Sequence, residues 1–196
     1  MNYRIRPANP ADVPALMALR TDAEHWLRQI GSDQWSDPET GSRAISKWHQ
    51  HIEDGRTWVL LDEGDTVLGT VSRGPADRDF WSEADELHTA FYLYKLIISR
   101  DAAGSGIGSL VLDWACRVAA LEGRRWLRID CWRTAQGLQR YYERLGFTHV
   151  RTEAPSHRKS GWLAQRSSGT ILNPERSLVV DTGEPLSIPA TRDARG

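Results

Sequence analysis

Three glycines stand at alternate positions, Gly104, Gly106 and Gly108, inside the stretch "SRDAAGSGIGSLVLDWACRVAA" (residues 99–120). They open a helical pattern, where Ser, Asp or Asn would cap the helix at lower cost in backbone entropy. Glycines placed there suit chemistry in which something comes close to the main chain. A strand, a glycine-rich turn and a helix together offer free backbone N–H groups and the positive helix end to an anion, a phosphate above all. Two familiar forms of that arrangement fit poorly. A P-loop needs G-x-x-x-x-G-K-[ST], and no lysine lies in this loop. A dinucleotide fingerprint needs G-x-G-x-x-G, and counting from Gly104 its third glycine position is Ser109. The plain alternative is a glycine-rich surface turn.

A second stretch, "AQGLQRYYERLGF" (residues 135–147), sets Leu138, Tyr141, Tyr142 and Leu145 on one face of a short helix closed by Gly146. Together the two stretches resemble the GCN5-related N-acetyltransferase (GNAT) superfamily. The diphosphate loop of that family has the form [QR]-x-x-G-x-[GA], which residues 103–108 occupy. Ala103 stands in place of the usual Gln or Arg, and Arg100 is the nearby cation able to compensate. The later family motif, N-x-x-A-x-x-[LFY]-Y-E-x-x-G-F, is matched by Tyr142, Glu143, Gly146 and Phe147, with Ala135 and Leu138 where Asn and Ala are usual. The resemblance covers residues 1–166.

That resemblance implies acetyl-CoA as co-substrate and direct transfer of its acetyl group to an amine of a small molecule or a peptide N-terminus. It implies that main chain at Leu96, Ile97 and Ile98 binds the pantetheine arm within a splayed sheet. Gly104, Ser105, Gly106, Ile107, Gly108 and Ser109 would then cradle the diphosphate, and Tyr142 would give a proton to the departing thiolate. A phenol, with a pKa of about 10, matches an alkyl thiolate in basicity; packing in the core is the plain alternative for Tyr142. For the base, the position used by relatives falls on Asp130, for which an ion pair with Arg128 or Arg133 is the plain alternative. Glu86 and His88, just before an earlier strand, are the other candidates. The same resemblance places acceptor specificity in residues 25–40, with Trp26, Asp33 and Trp35.

Residues 74–88 carry Asp77, Asp79, Glu83, Asp85 and Glu86 around Trp81. They read either as a lure for a cationic acceptor or as a solvated loop. Cys131 has no histidine near it in sequence, and a strand cysteine is more often an inert small apolar residue than a nucleophile. The histidines show no metal-ligand spacing, since His49 and His51 are two apart on a helix and point to different faces.

The elements that must position these residues follow from pattern. "YRIRPA" reads as a first strand. Two helices follow, opened by Asn9-Pro10 and by Asp37-Pro38, and then a hairpin turning at Glu63-Gly64-Asp65. "TAFYLYKLIIS" is a strand feeding the glycines, and Ile107, Leu110, Val111, Trp114, Val118 and Leu121 form the apolar stripe of a long helix. "RRWLRIDCW", the short helix, "THVRT" and "GWLAQR" complete the order β-α-α-β-β-β-α-β-α-β-β. The expected fold is α/β (α+β), the GNAT fold. It would have a mixed, mostly antiparallel sheet of about six or seven strands with a central splay, flanked by about four helices. Residues 1–166 form the expected domain. Residues 167–196 read as an extension in which only "SLVV" resembles a strand.

With 196 residues and a hydrophobic share of 40%, the chain is long enough for one real core. Lys plus Arg number 25 against 26 Asp plus Glu, a balance that speaks against a nucleic-acid or anionic-membrane partner. The opening "MNYRIRPANPADVP" lacks an apolar signal region, and two cysteines make no disulfide framework, so a cytoplasmic location is expected. Dimers are common in the GNAT family, and the sequence leaves a homodimer open. Two rival readings stand beside the enzyme: a non-catalytic acyl-CoA-binding or regulatory module on the same fold, and a nucleotide-binding α/β protein.

Overall fold

The computed structural model describes residues 3–35 and 38–181, those of 38–45 by backbone alone. The expected cap Asp37 and the last part of the C-terminal extension, 182–196, lie outside the described residues. Alternating apolar runs become strands β1 (Arg4–Pro7), β2 (Thr57–Leu61), β3 (Val67–Gly74), β4 (Ala90–Ile98), β5 (Trp126–Trp132), β6 (Thr148–Thr152), β7 (Ser160–Ser167) and β8 (Val179–Val180). The helical patterns become α1 (Val13–Gln29), α2 (Pro38–Glu53), α3 (Ile107–Leu121) and α4 (Gln136–Arg144). Asn9 caps a 3-10 turn ahead of α1 and shares a capping box with Asp12.

The strands form one mixed sheet in the order β6-β7-β5-β4-β3-β2-β1-β8. Among the described pairs only β4–β5 and β1–β8 are parallel. The eighth strand is one more than expected, because "SLVV" returns Val179 and Val180 to pair with Arg4 and Ile5. On one face, Leu16, Leu19, Trp48 and Ile52 of α1 and α2 bury against Val59, Leu61 and Ile97. On the other, Leu110, Val111, Trp114 and Ala115 of α3 bury against Leu127, Ile129 and Cys131. Each fully buried aliphatic side chain contributes about 1.5–3 kcal/mol.

The acidic stretch 74–88 departs from both expectations. Phe80 and Trp81 turn inward against Ala90, Tyr92 and Leu163, forming a third small core. Four of its five acids are paired: Asp77 and Asp79 with Arg158, Asp85 with Arg151, Glu83 with Arg78; Glu86 is exposed. It is neither a wholly free anionic lure nor a loose loop, because distant arginines pair with Asp77, Asp79 and Asp85 and an aromatic pair pins it.

Beyond β7 the chain stays on the molecule. Asp113, in the middle of α3, forms a fully buried ion pair with Arg166 of β7. Its carboxylate also accepts the backbone N–H of Leu172 (3.1 Å), the backbone N–H of Asn173 (2.8 Å) and Asn173 Nδ2 (2.8 Å). Burial alone would raise the pKa of this carboxyl, but bonds from Asn173 and Arg166 outweigh it and hold the group below the usual range. No helix of the described residues is long and apolar enough to cross a membrane.

Removing the carboxylate strands the Arg166 guanidinium in the interior. Asp113→Ala is therefore expected to lose about 3–5 kcal/mol in urea unfolding. Arg78→Ala, at an exposed pair, is expected to stay within about 0.5 kcal/mol of wild type. Equal losses for the two variants would refute the assignment.

Candidate functional site

The parallel pairing of β4 with β5 runs only from Ala90↔Trp126 to Tyr92↔Arg128. After that the strands part, while β4 stays paired to β3 as far as Ile98 and β5 to β7 as far as Trp132. Across the bulge between β3 and β4, Lys95 and Leu96 face the single residue Val71, and Lys95 takes a left-handed φ of 52°. One edge of β4 is thus left with main-chain N–H and C=O groups that a ligand carrying amides can satisfy.

A cavity of about 900 Å³ opens at the mouth of this splay. Leu96, Ile97 and Ile98 line it from β4, Gly104 and residues 106–109 from the loop, and Leu138, Tyr141 and Tyr142 from α4. Of the residues expected to hold the coenzyme, only Ser105 is absent from the lining; its hydroxyl donates to Ala102 O (2.6 Å).

The glycines do two different jobs. Gly104 and Gly106 adopt φ of 83° and 81°, and a Cβ on Gly104 would meet nothing within 4 Å. These two turn the backbone and leave the approach to it open. Gly108 already lies in α3, and a Cβ there would collide with Tyr141 Oη. Its bareness lets α4 dock on α3. The loop also begins α3 with no side-chain cap at Gly106, so N–H groups of the first helical turn lack side-chain partners.

Tyr142 is a core residue and a cavity residue at once. Its ring packs edge-on against Tyr141 (5.6 Å between centroids) and Phe147 (5.4 Å). Burial pushes its phenol well above the usual range, with smaller contributions from Cys131 and Tyr141, so it holds its proton. Tyr142 therefore packs in the core, as the plain alternative has it, and also lines the cavity.

Asp130 faces away from α3, because its neighbours Ile129 and Cys131 take the inner positions of β5. It does not line the main cavity. Its surroundings are Ser160, Asp77 and Arg158, and burial raises its carboxyl to about 6 against the bond from Ser160. Arg128, one expected partner, instead donates to Tyr92 Oη (3.0 Å) and Gln165 (3.1 Å) and lies over Trp81; Arg133 reaches the carbonyls of Arg158 and Lys159. The geometry does not bring the other two candidate bases to the splay. Glu86 is exposed in a left-handed turn four residues before β4, at its paired end, and His88 lines a separate hollow of about 680 Å³ there. Cys131 is buried and its thiol is pushed up to about 12, which leaves it protonated and inert.

The connection between α1 and α2 roofs the cavity. Asp33 accepts from Trp132 Nε1 (2.9 Å) and Thr134 Oγ1 (2.8 Å), tying that connection across the splay to the end of β5. Both bonds fall on Asp33 Oδ1. Trp26 and Trp35 line the cavity, and each carries an arginine on its ring: Arg100 at 4.1 Å and Arg20 at 4.8 Å. Arg100, the expected compensating cation of the glycine loop, is thereby drawn toward α1.

A feature that sequence reasoning missed lies behind Trp35. Lys95 Nζ, Arg20 Nη2 and Trp48 Nε1 are each buried without a hydrogen-bond partner, as is His51 Nδ1. Lys95 stands 5.1 Å from the Trp48 ring centre. Burial, reinforced by Lys47 and Arg20, lowers its ammonium to about 8; burial and Lys95 lower His51 to about 4. The signal was a lone lysine within the apolar strand "AFYLYKLIIS". No group of three or more His, Cys, Asp or Glu among the described residues could hold a metal ion.

Comparison with known proteins agrees with this geometry. The model of the acetyltransferase (GNAT) family matches residues 12–147. An uncharacterised N-acetyltransferase of Bacillus subtilis, YesJ, is 30% identical over 155 residues, covering 77% of this chain and 84% of its own. A GNAT-family acetyltransferase structure from Listeria monocytogenes superposes with a TM-score of 0.64 at 24% identity, covering 84% of this chain and 94% of that one. The structure of yncA from Salmonella typhimurium, solved with its cofactor acetyl-CoA, gives 0.58 at 17% identity, covering 87% and 96%.

The raised carboxyl of Asp130 has a thermodynamic consequence. The folded chain holds this proton more tightly than the unfolded chain does, so stability is lost as pH rises through the interval from about 4 to about 6. Asp130→Asn removes that loss. Urea unfolding should find the variant more stable than wild type at pH 8, by up to about 2 kcal/mol, and no more stable at pH 4. Equal stability at pH 8 would sink the placement of Asp130.

Proposed function

The chain belongs to the GNAT acetyltransferase family, and on that premise we propose that it transfers the acetyl group of acetyl-CoA directly to an amine of a small molecule. The observation that carries this reading is the continuity of one cavity. It joins the open edge of β4 at Leu96, Ile97 and Ile98, the glycine loop and the Tyr142 side chain. Gly104 and Gly106 leave room for a diphosphate, and the parted strands leave room and backbone groups for an amide-bearing arm, so the residues present fit the coenzyme.

Acetyl-CoA supplies an acetyl thioester, whose carbon–sulfur bond breaks as the amine nitrogen bonds to the carbonyl carbon. The protein positions and moves protons around that exchange. Main-chain N–H groups on the open edge of β4 hold the arm and face the carbonyl oxygen, where negative charge develops. Tyr142, kept protonated by burial, holds a proton at Oη for the departing sulfur. Asp130, on the opposite face of the sheet and outside the cavity lining, is a carboxylate above about pH 6 and would take the proton that the amine must lose through intervening water.

The acceptor side is cationic. Behind Trp35 the Lys95 ammonium is desolvated and, among the described residues, has no acid paired with it, while Arg20 pairs with Glu24 and four of the five acids of 74–88 are paired with arginines. In a low-dielectric wall the unpaired ammonium of Lys95 repels a polyamine and favours an amine that also bears a carboxylate or similar anion. Amino acids and their close analogues are therefore the preferred acceptor class over polyamines, aminoglycosides or uncharged amines.

Thermal shifts with CoA, ATP and NAD should show stabilisation by CoA species alone, abolished in Gly106→Asp, which strains a φ of 81° and sets an acid against the phosphates. A thiol-release screen across amine classes should find turnover with anionic amines. Tyr142→Phe should lower kcat by about a hundredfold with little change in KM, and Asp130→Asn should remove the rise of rate with pH around 6. CoA binding without thiol release from any amine class would favour the non-catalytic module; stabilisation by ATP or NAD would favour the nucleotide-binding protein.

A further inference from the structure

The C-terminal segment ends its crossing of α3 beside the glycine loop. Asn173 Nδ2 bonds Asp113 and also donates to Ser109 Oγ (2.8 Å), one helical turn earlier on the same face. A turn follows, closed by Arg176 N–H on the Asn173 carbonyl (3.2 Å), before the chain enters β8. It leaves Arg176 Nη1 3.7 Å from where a Cβ on Gly106 would stand. The Arg176 side chain is exposed, and among the described residues its guanidinium has no ion pair, hydrogen bond or ring partner.

The arginines nearest in role are committed. Arg100 lies on Trp26, Arg166 is buried with Asp113, and Arg73 pairs with Glu122. The loop itself, residues 103–109, contains no Lys or Arg. Backbone N–H groups can orient a diphosphate, but its two negative charges call for a cation, and the planar fork of arginine is the side chain best matched to phosphate oxygens. A free guanidinium anchored within reach of Gly106, over a loop with no charge of its own, meets that need.

We propose that Arg176 binds the diphosphate of the coenzyme, so that the C-terminal segment, held by Asp113 and Ser109, is a working part of the coenzyme site. This rests on the acetyl-CoA reading above. It also accounts for a buried carboxylate that spends three of its bonds on Leu172 and Asn173.

The test is calorimetric titration of the full chain with CoA and with 3′-dephospho-CoA, for wild type, Arg176→Gln and Arg176→Lys. Arg176→Gln should weaken both ligands about tenfold, the size expected for one charge-assisted contact, and Arg176→Lys should recover part of the loss. The ligand-free melting temperature should be unchanged, because the side chain supports nothing in the fold. Equal affinity of Arg176→Gln and wild type for CoA would overturn the proposal. So would a loss seen with CoA and absent with 3′-dephospho-CoA, which would move the guanidinium to the 3′-phosphate. Failure of wild type to bind CoA at all would instead overturn the acetyl-CoA reading, a distinct result.

Discussion

The whole arrangement depends on a sheet that stops pairing partway. β4 and β5 share three residue pairs and then diverge, although each keeps its outer neighbour. A parallel pair would normally continue while both strands last, because unpaired backbone polar groups are costly. Here the geometry on both sides prevents it. The bulge at Lys95 turns β4 while its pairing with β3 survives, and Trp132, at the end of β5, is bonded to Asp33 in the α1–α2 connection. The divergence is built in from both strands. What it leaves exposed is a regular row of donors and acceptors, already spaced for an extended amide-bearing ligand.

The second constraint is the beginning of α3, which is left open and yet held firmly. Openness comes from Gly104 and Gly106, and from the absence of any side-chain cap. Firmness comes from elsewhere. Tyr141 of α4 presses its hydroxyl into the gap that Gly108 leaves, and the C-terminal segment bonds Ser109 and Asp113 from the outside. A helix start without a local cap is thus held by two long-range contacts.

Local signals in the chain were legible and distant partnerships were not. The strand–loop–helix around residues 90–121, the helix of Tyr142 and the hairpin near Gly64 all stand where periodicity and turn residues put them, since each is decided within about a dozen residues. The acidic loop was misread because its partners, Arg151 and Arg158, lie some seventy residues away, and an ion pair leaves no periodic trace. Gly108 was legible as a glycine but its reason, Tyr141, was not. The strand-like "SLVV" was visible, while its parallel partner at the start of the chain was not. Lys95 was the one conspicuous misfit, a lysine in an apolar strand, and its meaning required α1 and α2 to be placed above it.

Desolvation also sorts the proton chemistry of β5 and α4 without any special device. Burial raises the pKa of Asp130, Cys131 and Tyr142 alike, but from different starting points. The carboxyl stops at about 6, and above that pH it is a proton acceptor. The thiol is carried to about 12, beyond reach as a nucleophile, and the phenol is kept as a donor. Alternation along the strand does the rest: Cys131 faces the α3 side with Tyr142, and Asp130 faces the opposite side. Between about pH 6 and the titration of the phenol, one face of the split sheet carries a protonated phenol and the other a carboxylate. The pleat of a single strand thus separates, on the two faces of the split sheet, the acid and the base that the proposed transfer calls for.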